Sequence, residues 1–429
     1  MALYSLLIGF FGILCAGFLT AFLVKKSTDI FYILIFALAI RILSVIIHTY
    51  FYPLPIGVHD AVRFEKAAWD LSRLADGTIL GFVELYIDIL NQETPEGYLI
   101  LRDLSWTYVP LLSFFYIVLD RSPLLLNSFS ISIGMLTVYL SWLITLKVWE
   151  SRVAARKCAF LMAFFPPLIM YSSVILREIF IILFLQLFVL YFIKWRHEEK
   201  KSGLFFSFFS ALPHLILHHP MFLVLMFSYI WPVLSFTKNL IKNIFIGRVK
   251  TIVVFILLLL ITSILLIEYY KGAMHFVTTL PIPYVGELRY FGLGNIVAYT
   301  QHTNYGNASY PSFIVLRTTS DLITLLPARV LYFMYSPFVW DVKSISHVVG
   351  VIDSLLYFYL TFLFFSNYKY IKKNKKLKVI ILIFIVGVII YSFGVGNFAN
   401  AMRHRVKLLT LLVIIVAPFL FAKKNKSNN

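Results

Sequence analysis

A succession of apolar runs constrains this chain more than anything else in it. Each is about 16 to 24 residues long, the length a helix needs to cross a hydrocarbon core of about 30 Å. The runs at 2–24, 30–52, 124–146, 158–173, 179–195, 251–268, 349–367, 379–395 and 406–422 read as spans. Residues 204–236 are too long for one span and too short for two full ones. His218-His219-Pro220 near their middle points to two short helices joined by an outward turn. With 60% hydrophobic residues in 429, a soluble globule has no means of hiding this surface. The expected fold is an all-α polytopic bundle of about eleven spans, one membrane domain over 1–429.

The net charge of +18 invites a nucleic-acid partner, but its distribution argues for none. Lysines and arginines collect in short segments between runs: Lys25-Lys26, 147–157, 196–201, 238–250, 369–378 and the tail from Lys423. A membrane protein records its orientation this way, with basic segments on the cytoplasmic side. The N-terminus is then outside and the C-terminus cytoplasmic. The interval from Pro53 to Arg121 holds ten acidic residues against five basic ones, which suits the outside. Residues 53–123 form the first extracytoplasmic loop and 269–345 the second, where Leu325 to Trp340 reads as an interfacial or re-entrant helix. Leu104 to Leu119 is apolar, yet a span there would invert the charge rule at 147–157. It is expected to lie at the outer interface, with Trp106 and Tyr108 at headgroup level. Cys15 and Cys158 imply neither a disulfide nor a metal framework. The first run lacks a basic leader and a cleavage site, so it reads as a retained span.

His59 to Asp70 packs acidic, basic and aromatic residues together just beyond the second run. Asp60, Arg63, Phe64, Ala67, Ala68, Leu71 and Leu74 recur at helical spacing. The plain reading is a solvated helix with Asp60 as its N-cap. Arg177-Glu178 at the outer end of a span is either an ion-paired anchor or a phosphate contact beside a second acid. Arg102-Asp103 reads the same way. Arg403, His404 and Arg405 lie outside by the charge rule, where a basic cluster is unexpected, and suit a lipid phosphate or headgroups. Arg41, midway along an apolar run, is costly enough to face the bundle, beside a carboxylate or a cavity. His218-His219 reads as a surface turn rather than a metal site. A divalent ion stays open as a cofactor, since outer acids are present but no ligand spacing demands one.

Asp60-Ala-x-x-Phe64-x-x-Ala67 in the first outer loop resembles the pattern of the GT-C superfamily of integral-membrane glycosyltransferases, in particular the polyprenyl-phosphate-sugar-dependent, family 39-like kind. Tyr108-Val-Pro110, Asp120-Arg-Ser-Pro123, Phe165-Pro166-Pro167 and Tyr171-Ser-Ser follow in a similar order, so the likeness covers roughly 30–200. It implies a multi-pass protein of a bacterial inner membrane that builds cell-surface polysaccharide. A polyprenyl-linked sugar would be the donor and a lipid-linked glycan the acceptor, among membrane lipids. Asp60 would be the base or the carboxylate orienting the attacking hydroxyl. Arg63, Arg102, Asp103, Arg177, Glu178, Arg403, His404 and Arg405 would bind substrate. A polymerase joining repeat units en bloc shares these features. A lipid or sugar transporter is the third reading.

Overall fold

The computed structural model describes residues 2–52, 54, 58–90, 108–229, 293–304 and 306–421. The run at 251–268, Arg102 and Asp103 lie outside them. No strand occurs among the described residues apart from one antiparallel bridge between Ser309 and Asn397. In chain order the helices are α1 (Ala2–Lys26), α2 (Phe31–Ile46, prolonged by a wide turn to Phe51), α3 (Val58–Leu74), α4 (Ile79–Leu90) and α5 (Tyr108–Leu119). Next come α6 (Pro123–Trp149), α7 (Arg152–Phe164), α8 (Pro166–Tyr171), α9 (Arg177–His197), α10 (Lys201–Leu217) and α11 (His219–Tyr229). The remainder are α12 (Leu293–Thr303), α13 (Leu326–Tyr335), α14 (Ile345–Ser366), α15 (Tyr368–Lys373), α16 (Leu377–Gly394) and α17 (Phe398–Val416).

Six described segments are long and apolar enough to cross a membrane: Leu3–Lys26, Thr28–Phe51, Pro123–Trp149, Arg177–His197, His347–Ser366 and Leu377–Gly394. That is what an integral membrane protein requires. Two expected spans take another form, and a third stretch divides as expected. The run at 158–173 is split into α7 and α8 by Pro166 and Pro167. The run at 204–236 breaks at His218, as its sequence suggested, into α10 and α11. The last helix begins at Phe398 rather than 406, so the basic cluster lies within the first turns of α17. Asn397 caps that helix, its side chain accepting from the Asn400 amide at 2.8 Å.

α6, α9 and α17 form the centre, with α1 and α2 packed on α6. The outer faces of α1, α2 and α14 carry exposed Phe, Leu, Ile and Tyr, the surface lipid would cover. α3 buries Ala61, Phe64, Ala67, Ala68 and Leu71, the 3.6-residue face its sequence carries, against α5. At 12 residues α5 is about 18 Å long, too short to span. It buries Tyr108, Val109, Leu112 and Tyr116 and leaves Leu111, Phe114 and Val118 outward.

The basic segments at 147–157, 196–201 and 369–378 meet at one end of the bundle, together with the turn after Lys26. Lys147 bonds Glu198 at 2.6 Å, Lys376 bonds Glu150 at 2.6 Å, and Arg152 pairs with Asp29 at 3.6 Å. Lys147 and Lys376 hold the carboxyls of Glu198 and Glu150 below their usual range. Four segments that the charge rule assigns to one side therefore stand together.

Buried arginines satisfy backbone that the breaks expose. Proline has no N–H, so Pro166 and Pro167 strip the carbonyls of Met162 and Ala163 of their helical donors. Arg41, 1% exposed, donates to Ala163 O at 2.9 Å and Met162 O at 3.5 Å, and to Ser172 Oγ at 2.9 Å. Gly134 makes room, since a Cβ there would meet the Ser172 side chain at 2.5 Å. Among the described residues its partners are carbonyls and a hydroxyl, not a carboxylate. Arg329 does the same at the end of α16, donating to the carbonyls of Ser392, Phe393 and Val395. Replacing Arg41 with Met leaves these acceptors unpaired, at about 1–3 kcal/mol each. The expected result is a clear fall in thermal midpoint of the purified protein, partly restored by adding Pro166→Ala and Pro167→Ala. Wild-type stability in the Arg41→Met protein would contradict this account.

Candidate functional site

At the opposite end from the lysines, three segments far apart in sequence converge on one guanidinium. Arg403, in the second turn of α17, bonds Glu178 through Nε and Asp60 through Nη1, partners 225 and 343 positions away. Asp60 lies in the first turn of α3 and Glu178 in the first turn of α9. Helix N-termini carry partial positive charge, so both carboxylates are favoured there. The same field opposes Arg403 near the start of α17, and the two carboxylates offset it. Since α3 begins at Val58, Asp60 is inside the helix and is not its N-cap.

The cluster runs from open to closed. The Asp60 side chain is 33% exposed, Arg403 21%, Glu178 1% and Lys407 0%. Lys407 lies one turn below Arg403 on the same face of α17, its Nζ 3.9 Å from Glu178. It also contacts His404 Nδ1 at 3.1 Å. His404 stacks on Tyr391 with centroids 5.0 Å apart, and His218 packs against both rings at 5.1 and 5.4 Å. Arg177 places its guanidinium over the Phe64 ring at 5.5 Å, and Phe64 in turn meets Tyr108 edge-on. Among the described residues, Glu178 Oε2 and Arg403 Nη2 are buried polar atoms with no hydrogen-bond partner.

Of the residues expected from sequence, Asp60, Glu178, Arg403 and His404 come together, with Arg177 beside Phe64. Two do not. Arg63 is exposed on α3, and the cation bonded to Asp60 is Arg403. Arg405 is fully buried on the other side of α17, two residues or about 200° round from Arg403. There it pairs with Asp353, with Nε to Oδ2 at 2.9 Å, and caps α13 through the carbonyls of Met334 and Ser336. Its position is that of a structural residue. Lys407, Tyr391 and His218 were missed. Lys407 was legible as the i+4 neighbour of Arg403, but His218 was not, because its partners Tyr391 and His404 are 173 and 186 positions away. No group of three or more His, Cys, Asp or Glu that could hold a metal ion occurs among the described residues.

The fold and site define an all-α protein with membrane-length helices and a partly open carboxylate–guanidinium cluster at one end. No family model, curated protein or solved structure matches the chain.

Proposed function

We propose that this protein is an integral-membrane glycosyltransferase of the GT-C kind, a bundle of about eleven spans working at the extracytoplasmic face of a bacterial inner membrane. It moves a sugar from a polyprenyl-phosphate or polyprenyl-diphosphate donor to a lipid-linked glycan in cell-envelope polysaccharide assembly. The observation that supports this best is the convergence of Asp60, Glu178 and Arg403, with Asp60 the most open of the three.

An acceptor hydroxyl attacks the anomeric carbon, its proton passes to Asp60, and the bond to the lipid phosphate breaks with the electron pair leaving on phosphate. A carboxylate fully engaged by a guanidinium is a poor base. The donor phosphate competes for Arg403, whose Nη2 has no partner among the described residues, and so frees Asp60 as it binds. Lys407, buried behind Glu178, adds positive charge without competing for the mouth. By the positive-inside rule, the basic belt at the other end supports a cytoplasmic side for that end and an outer side for the cluster.

Glycan analysis of a deletion strain tests the assignment. Loss of one sugar from the repeat unit is the expected result. Single intact repeat units that fail to lengthen would identify a polymerase, and normal glycan would reject both.

A further inference from the structure

The molecule has a second feature fit to hold a ligand, on the far side of α3. A cleft of about 440 Å³ opens between the start of α1, the end of α3 and the end of α5. That is within the range of about 300–1,000 Å³ usual for ligand sites. Trp69, Tyr116 and the exposed Tyr4 supply its aromatic walls, and Arg73, Asp76 and Asp120 its polar lining. Trp69 follows Asp60 by nine residues, which puts it about 14 Å along α3 and half a turn round it. The cleft is thus separate from the Arg403 cluster.

Its wall is held in place from behind. Arg121 forms a two-pronged pair with Glu65, at 3.0 and 3.1 Å, and covers one face of Trp69 at 5.4 Å. Tyr116 donates to Glu65 at 2.9 Å and meets Trp69 edge-on at 6.1 Å. Burial, and then the adjacent Glu65 carboxylate, push the Tyr116 phenol well up, so it stays a neutral donor. Ionised carboxylates offer only acceptors. Two of them beside one arginine disfavour phosphates and favour ligands rich in hydroxyl donors. Flat aromatic walls take the C–H face of such a ligand.

We infer that this cleft binds a neutral or amino saccharide, stacked on Trp69 and Tyr4 with its hydroxyls on Asp76 and Asp120. Its role as a holder of the glycan at a distance from the reacting end rests on the transferase reading; the binding itself does not. The test uses the full chain in lipid nanodiscs, free of sugar-headed detergent, with lactose, cellobiose and chitobiose as probes in saturation-transfer NMR. Transfer to the sugar C–H protons is expected, with glucuronic acid giving little. Trp69→Ala and Tyr4→Ala each weaken binding about tenfold, the scale of one lost aromatic contact. Trp69→Phe, which keeps a ring, retains most of it and controls for folding. No transfer from any of the three probes, or unchanged transfer in the Trp69→Ala, Tyr4→Ala double variant, overturns the inference. So does loss of binding in Asp60→Asn, which would put the sugar at the other site. Normal glycan assembly by Asp60→Asn with saccharide binding intact would sink the transferase reading and leave the cleft standing.

Discussion

Asp60→Asn lowers glycan assembly by about 10²–10⁴-fold, the usual contribution of a positioned base, while the protein still inserts and purifies in normal amount. The substitution keeps the size of the side chain and removes only its charge and its capacity to take a proton. Its stability effect is small by comparison, because Asp60 is a third exposed and Arg403 keeps Glu178. Asp60→Glu separates chemistry from charge. It preserves the ion pair but moves the oxygens by a methylene, so a base role predicts a large loss of rate at near-normal stability. If Asp60→Asn supports wild-type glycan levels in a deletion strain, Asp60 is a structural ion-pair partner and nothing more. Assays with a purified polyprenyl-linked donor extend the result from cells to the enzyme. There the loss falls on turnover more than on donor affinity, since the asparagine leaves Arg403 less engaged and readier to meet phosphate.

The sequence carried the architecture where hydrophobicity alone decides it. α1, α2, α6, α9, α14 and α16 lie where the apolar runs put them. It misled where polar groups sit inside the bundle. Arg403, His404 and Arg405 read as one outer cluster at the start of the last span, because charges are costly in lipid. In the fold they and Lys407 belong to one helix: Arg403 meets Asp60 and Glu178, Arg405 meets Asp353 and helix-end carbonyls, and Lys407 meets Glu178 and His404. Helical geometry turns 405 about 200° from 403, and the two face different partners. Arg41 shows the other limit. Its charge faces the bundle, as its place midway along an apolar run implies, but its partners are two carbonyls freed by prolines about 125 residues later, a pairing only the tertiary fold supplies.

Glu178→Ala destabilises the protein by about 3–5 kcal/mol, the cost of breaking a buried ion pair from one side. Arg403 still reaches Asp60, but Lys407 then sits fully buried with no ion-pair carboxylate among the described residues, beside His404, Tyr391 and the bundle core. The expected observation is a sharply lowered thermal midpoint and little folded protein in membranes. Adding Lys407→Met removes the stranded charge at similar volume, and it recovers most of the stability. That recovery distinguishes an electrostatic cause from a simple cavity, which a second substitution at 407 would not repair. The double variant is also informative about function. It keeps Asp60 and Arg403 at the mouth while emptying the interior of its charge pair. If Lys407 and Glu178 serve only to seat Arg403, the double variant keeps much of its activity. If Lys407 stabilises charge on the departing phosphate, the variant is stable and nearly inactive. The proposal requires the second result, because it assigns Lys407 the charge that meets the phosphate as it approaches from the open side.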